Sequence, residues 1–482
     1  MQFVRQNSWI LFWSICYLGI ASFFLWNDLE YLALFPIGLI AILVAIFYSE
    51  TAFLTISFLT PLSINIEEYT DSFGLFIPTE PLLFGLLLLF LMQHFQKASI
   101  SKETWKSPII QTVSFYLFWV FCSSILSSMP LESFKFLLAR IWLIVPILFF
   151  GPVFFSKEQN RVRFIWLFCI GMAIVMGYTL YSHSHYNFAE KQGHWVMWPF
   201  FKDHTIYGSA VAMVIPLVFG LYFSKRHSNL FQMILFIMII LMLVALYFSY
   251  TRAAWLSIVA ALGVLLLIRF KIKIQWIGLF LILVSGFLYA NLTEVTHFLE
   301  RNKSEHTTEN FGERVSSVAN VTTDASNLER LNRWQCALDM FLEKPMAGFG
   351  PGTYAFEYAR FQRPENMTII STNFGDGGNA HSEYLGALSE MGIVGLLTFL
   401  AVVIAIFYQS ITLYIKWPKH DRANRIMIMS IIMSLTTYFV HAFLNNYLDT
   451  DKAAVPVWGM CAIIIAMQTE LRGKTKSKEL EN

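Results

Sequence analysis

Few side chains in this sequence are equipped for chemistry, and they stand at the borders of long apolar runs. His381 lies in Ala380-His381-Ser382-Glu383-Tyr384, where a polar stretch gives way to an apolar one. An imidazole near its ordinary pKa of about 6.5 can accept a proton at neutral pH. A lone histidine at such a border also serves as a plain hydrogen-bonding residue. Arg252, in Ser249-Tyr250-Thr251-Arg252, falls in a connection of almost no length between two apolar runs. An arginine held at that depth is costly unless it meets a partner or a water-filled cavity. Arg140 lies inside another run with Lys135 before it, where the plain alternative is a side chain reaching back to headgroups. Lys202, Asp203, His204 and Tyr207 open a further run, and Arg330 and Arg333 sit beside an apolar stripe. Together these cations point to an anionic ligand. Arginine suits phosphate because its planar fork donates two hydrogen bonds at once.

The elements that must position these residues are membrane spans. Of 482 residues, 56% are hydrophobic and only 14% charged, against about 25% charged in ordinary soluble domains. That composition excludes a soluble enzyme, a secreted disulfide scaffold and a disordered chain. The net charge of +2 gives no argument for nucleic acid. The expected class is an all-α polytopic membrane protein. A helix needs about 20 apolar residues to cross the hydrocarbon. Candidate spans are 8–26, 31–48, 52–66, 79–96, 109–128, 134–155, 163–182, 205–223, 230–249, 253–269, 274–291, 384–409, 425–445 and 453–470. The segment 52–66 is short and holds Pro61, so about 12 to 14 spans are expected. The first run reads as a span, since it lacks a clear small-residue cleavage site. The five cysteines form no CxxC pair and suggest no disulfide framework.

Alternating the spans from a cytoplasmic N-terminus puts most Lys and Arg in the inner loops, as the positive-inside rule requires. Both termini are then cytoplasmic. The expected division is transmembrane helices over 1–291, a large outer loop over 292–383, transmembrane helices over 384–470 and a tail over 471–482, its end disordered. Within the outer loop, Leu328, Leu331, Trp334, Leu338 and Phe341 fall at helical spacing over 326–344, with Pro345 after them. Gly348-Phe349-Gly350-Pro351-Gly352 follows. It matches neither a P-loop nor a dinucleotide fingerprint and reads as a tight turn, as does the cluster 373–379.

These residues resemble a family. Ala380-His381-Ser382-Glu383-Tyr384-Leu385 and Leu388-Ser389-Glu390-Met391-Gly392-Ile393-Val394-Gly395-Leu396 look like the histidine-containing signature of the O-antigen ligase/polymerase superfamily. Arg330-Leu331-Asn332-Arg333-Trp334, the stretch from Lys344 to Tyr354, and 249–255 are similar to that family too. The position after the histidine is often asparagine there; here it is Ser382. The resemblance implies a membrane-embedded glycosyltransferase of the GT-C type in the bacterial inner membrane. It would move glycan from an undecaprenyl-pyrophosphate donor to a hydroxyl on lipid A-core or another acceptor at the periplasmic face. It implies inversion, metal independence and no cofactor. His381 would be the general base. Arg252 first and Arg140 second would stabilise the leaving pyrophosphate, with Arg333 as a loop candidate and Lys202, His204 and Tyr207 as substrate contacts. A polysaccharide polymerase or a protein O-oligosaccharyltransferase of the same superfamily would differ in acceptor. A flippase would need charges lining a path through mid-membrane, whereas the polar groups here gather at one face. A metal site built from Asp203 and His204, or from Asp376, His381 and Glu383, matches no specific ligand spacing.

Overall fold

The computed structural model describes residues 8–26, 46–68, 74–96, 100–225, 228–272, 325–363 and 378–481, with 39–40, 42–43 and the single positions 275, 286 and 371. Candidate spans 31–48 and 274–291, most of the second glycine cluster, and Asp376 lie mainly or wholly outside these residues. The longer helices are α1 (Ser8–Trp26), α2 (Ser49–Leu59), α3 (Thr79–Gln96), α4 (Pro108–Ile125), α5 (Pro130–Ile144), α6 (Glu158–Ser184), α7 (His204–Ser224), α8 (Asn229–Phe248), α9 (Arg252–Arg269), α10 (Ala325–Glu343), α11 (Glu383–Lys416), α12 (Arg422–His441) and α13 (Asp451–Glu481). Among the described residues, nine helices are long and apolar enough to cross a membrane. The only sheet among them pairs two-residue strands, Ile64–Asn65 with Phe76–Ile77. The chain is therefore an all-α polytopic membrane protein.

Burial sorts the helices. The apolar window of α7 is 83% buried and that of α9 only 17%, so α7 is a central post and α9 a peripheral strut. Gly220 lets α7 approach α12, where a Cβ would meet Ser430 Oγ at 2.5 Å. Ser434 Oγ donates to the Met213 carbonyl at 2.6 Å across the same contact. In lipid the apolar effect does not drive helix association, so small residues and interhelical hydrogen bonds carry it.

α11 is two helices joined at Gly392, whose φ of 68° and ψ of −167° break the helix. The loop motif fills that break. Phe349 N and Gly350 N donate to the carbonyls of Ser389 and Glu390, and Ile393 N donates to the Pro345 carbonyl. Trp119 Nε1 donates to the Met391 carbonyl at 3.1 Å. A Cβ on Gly392 would stand 2.3 Å from Met346 O, and one on Gly348 2.3 Å from the Glu390 backbone. The glycines expected to make a simple turn instead allow two chain segments to touch backbone to backbone.

α10 covers the helix expected over 326–344, and the face beside the apolar stripe turns inward. Leu331 and Leu338 of the apolar stripe are exposed, while Glu329, Asn332, Arg333, Cys336, Ala337 and Met340 are buried. The small residues admit close packing against a second core, formed with Phe349, Tyr354, Tyr358 and Ala380. Two further expectations change. The segment 52–66 is α-helical only to Leu59, then passes through a 3-10 turn at Pro61 into the strand at Ile64. Its freed carbonyls are met by a buried cation: Lys452 Nζ donates to the carbonyls of Thr60, Pro61 and Ser63 at 2.8, 3.2 and 2.7 Å. The tail is helical to Glu481 rather than disordered. Ion pairs from Glu470 to Arg161 (2.8 Å) and Lys474 (2.5 Å), and from Arg472 to Glu103 (3.6 Å), carry the helix past its apolar stretch.

Candidate active site

The connections 126–129, 185–203, 249–251 and 442–450 and the loop core gather at one end of the bundle. The alternating directions of the helices put them there, and hydrogen bonds tie them together, as from Ser128 N to the Phe349 carbonyl at 2.8 Å. His381 stands at this end, immediately before α11. Its φ of 48° lies in the left-handed region, which a non-glycine residue adopts only when its surroundings hold it there. Two bonds do so. Its backbone N donates to Asn379 Oδ1 at 3.0 Å, and its carbonyl accepts from Trp334 Nε1 at 3.3 Å. Ser382 then caps α11, accepting from Leu385 N. Burial, with Arg330 and Arg333 nearby, pushes the His381 imidazole down to about 4, against the pull of Glu329 and Asp203. The ring is therefore neutral at pH 7 and can accept a proton.

Arg140 is buried on α5 and does not reach out to headgroups. Its guanidinium lies 3.9 Å from Glu383 and over the Phe136 ring. Glu383, in the first turn of α11, also accepts from Tyr438 OH at 2.9 Å and from the backbone N of Tyr447 and Leu448, each at 2.8 Å. A buried carboxylate needs such donors, and these bind the connection after α12 to the start of α11. Tyr447 continues the link, its hydroxyl lying 2.5 Å from Thr205 Oγ1. Asp449 in the same connection is reached by solvent, although the surrounding protein encloses it. It lines a recess. Burial raises its carboxyl to about 6 despite Arg140, with Glu383 adding to the rise.

Asp203 caps α7, accepting from Thr205 N at 2.7 Å and Ile206 N at 3.1 Å. His204 stacks on His194 with ring centroids 4.2 Å apart. Thr251 Oγ1 donates to the His204 carbonyl at 2.8 Å, so half-buried Arg252, the first residue of α9, stands beside the start of α7. Arg333 is buried, paired with Glu329 at 2.7 Å and set over the Tyr358 ring. Burial alone would raise the Glu329 carboxyl, but hydrogen bonds from Ser371 and Arg333 hold it below the usual range. Lys202 is exposed, and Tyr207 is buried beside Phe201 in the helix core. The structure thus gathers His381, Arg333, Asp203 and His204 near one another and sets Arg140 two residues from His381 through Glu383. It leaves Lys202 on the surface and Tyr207 inside the bundle. Among the described residues, no three His, Cys, Asp or Glu side chains cluster as metal ligands.

Sequence reasoning misses Glu383 as an anchor, and also Tyr447, Asp449 and Glu390. Glu390 accepts from Tyr354 N at 3.0 Å. Arg330 is legible as a partner of Arg333 one turn away. The others meet the site only through long-range contacts.

A helical membrane bundle with a histidine, arginines and carboxylates concentrated at one end defines the class. Residues 237–400 match the O-antigen ligase family model, which supports the O-antigen ligase superfamily and a membrane glycosyltransferase of the O-antigen ligase/polymerase kind. The matched stretch contains Arg252, Arg330, Arg333, His381, Glu383 and Glu390. No curated protein matches the chain.

Proposed function

We propose that the protein transfers a glycan from an undecaprenyl-pyrophosphate donor to an acceptor hydroxyl, with inversion and without a metal. The acceptor is lipid A-core or another surface glycan. The observation that carries this reading is His381, held in a left-handed backbone among Arg330, Arg333 and Asp203. His381 takes the proton from the acceptor hydroxyl as its oxygen attacks the anomeric carbon. The glycosidic C–O bond breaks, and pyrophosphate leaves with the electron pair. Arg252 and Arg330 stabilise that charge, Arg140 adds to the field through its place beside Glu383, and Arg333 orients the loop. Fixed cations in a site of reduced dielectric need no reorganisation as charge develops. A donor's negative charge beside His381 also offsets the two arginines and raises the imidazole's pKa toward the working pH, where a general base works best.

The basic loops at the opposite end of the bundle support a periplasmic site in the bacterial inner membrane with both termini cytoplasmic. The four-part division at 291, 383 and 470 follows the same layout. The test is reconstitution with a lipid-linked glycan and competing acceptors in excess chelator. Transfer to lipid A-core is the expected product. Transfer to another lipid-linked repeat or to a protein would make the chain a polymerase or an O-oligosaccharyltransferase. Glycan crossing the bilayer with no product would make it a flippase, and loss restored only by metal would overturn the arginine mechanism.

A further inference from the structure

The opposite end of the bundle holds a second site. A cavity of about 960 Å³ lies between α7, α8, α9 and α12. Its walls are apolar, among them Pro216, Phe219, Leu246, Ile258, Leu262 and Met433. Arg269, Lys419, Arg422 and Arg425 also line it. Arg269 ends α9, Arg422 begins α12, and Lys419 lies in the connection between α11 and α12. All four cations therefore stand at the end far from His381. Along α9 the cavity runs from Trp255 to Arg269, about 21 Å at 1.5 Å per residue. That is deeper than one leaflet's hydrocarbon, about 15 Å or half of a typical core, so the slot passes the midplane. The volume is that of a site for a molecule of several hundred daltons.

The cations are set differently from those at the other end. Arg425 is fixed: its guanidinium donates to the carbonyls of Tyr414 and Trp417, each at 2.9 Å, and lies over the Tyr414 ring. Arg269, Lys419 and Arg422 are exposed and make no ion pair among the described residues. Asp421, at the same turn, accepts from Trp417 Nε1 at 3.0 Å and from Asn424. An apolar slot about 21 Å long with one fixed and three exposed cations at its mouth complements one kind of molecule.

We infer that this groove binds an anionic diacyl phospholipid, its acyl chains between α8, α9 and α12 and its phosphate among Arg269, Lys419, Arg422 and Arg425. A polyprenyl phosphate fits less well. It would place its phosphates at the end of the bundle away from His381, and its chain would overfill a slot of this length. The site is independent of the glycosyl-transfer reading, because its test reads lipid binding and not turnover.

The experiment is native mass spectrometry of the full chain in detergent, titrated with phosphatidylglycerol and phosphatidylcholine of identical acyl chains. Separate arms use undecaprenyl phosphate and inorganic phosphate. Phosphatidylglycerol should bind on the order of tenfold more tightly, since each basic residue at an anionic headgroup adds to affinity. The Arg269→Gln/Arg422→Gln variant should lose that preference. The single Lys419→Gln variant, altered only on an exposed side chain, should show a partial loss and serves as the folded control. Acyl-brominated phosphatidylglycerol should quench a fraction of tryptophan emission that disappears in Trp255→Phe. Equal binding of the two phospholipids would overturn the inference. So would an unaltered preference in the double variant, displacement by undecaprenyl phosphate or inorganic phosphate, or quenching unchanged in Trp255→Phe.

Discussion

At the His381 end, Arg140 and Arg333 are buried and each has a carboxylate, Glu383 at 3.9 Å and Glu329 at 2.7 Å. At the far end, Arg269, Lys419 and Arg422 are exposed and make no such pair among the described residues. Arg161 separates the two explanations for this contrast. It lies toward the far end but is buried, and it has both Glu470 at 2.8 Å and the Phe155 carbonyl at 2.6 Å. Burial, and not the side of the membrane, makes a partner obligatory; exposed cations need none, although some have one, as Lys157 has Glu50 at 2.5 Å. A charge taken from water must be compensated inside the protein; one at headgroup level is compensated by solvent or lipid. The paired set is thereby fixed in position, as a reacting site requires, and the unpaired set is left open to a ligand.

The contrast can be broken or sharpened by experiment. His381→Ala should lower turnover by about 10² to 10⁴, the range for loss of a general base, with its unfolding midpoint in detergent close to that of the parent. Near-normal turnover would remove His381 from the chemistry. Glu383→Ala should cost about 3–5 kcal/mol of stability, because it strips the buried Arg140 of its carboxylate; denaturant titration reads this directly. Gly392→Ala should cost about 1–3 kcal/mol, since alanine must hold a left-handed φ with its Cβ against Met346 O.

A smaller effect is expected from pH. His381 has its folded pKa lowered from 6.5 to about 4. The unfolded chain then binds more protons between those values, so this residue's share of stability falls as pH drops from about 6.5 to 4. Asp449, raised from 3.8 to about 6, acts oppositely, its contribution being lost as pH rises through 6. The informative measurement is the difference between the parent and His381→Gln, whose unfolding midpoint should fall less on acidification. The smallest effect is the far end's: Arg269→Gln should leave glycosyl transfer unchanged in a phospholipid-free assay.

Much of the fold is legible in the sequence, for identifiable reasons. Spans of full length announce themselves because lipid demands about 20 apolar residues, and α7, α8 and α9 lie within a residue or so of their expected bounds. Arg140, Arg252 and His381 are conspicuous because charge is scarce among apolar runs. The role of Glu383 is hidden because its donors come from Tyr438, Tyr447 and Leu448, more than 50 residues along the chain. The break at Gly392 is hidden for a similar reason: the residues that fill it belong to the loop. The inward face of α10 is not legible because hydrophobic spacing marks an apolar stripe without saying whether protein or lipid receives it. The helical tail differs because its ion pairs with Arg161 and Glu103 cannot be seen locally.

The ammonium of Lys452 has a consequence for biosynthesis. The carbonyls it satisfies, at Thr60, Pro61 and Ser63, precede it by 392, 391 and 389 residues. At translation rates of about 5–20 residues per second, that interval is roughly 20–80 s. Backbone groups freed inside a membrane require a partner, and this partner is made with the last helix. The Pro61 and Ser63 carbonyls therefore gain their ammonium only with α13, late in synthesis, whereas Thr60 also accepts locally from Ser63 Oγ.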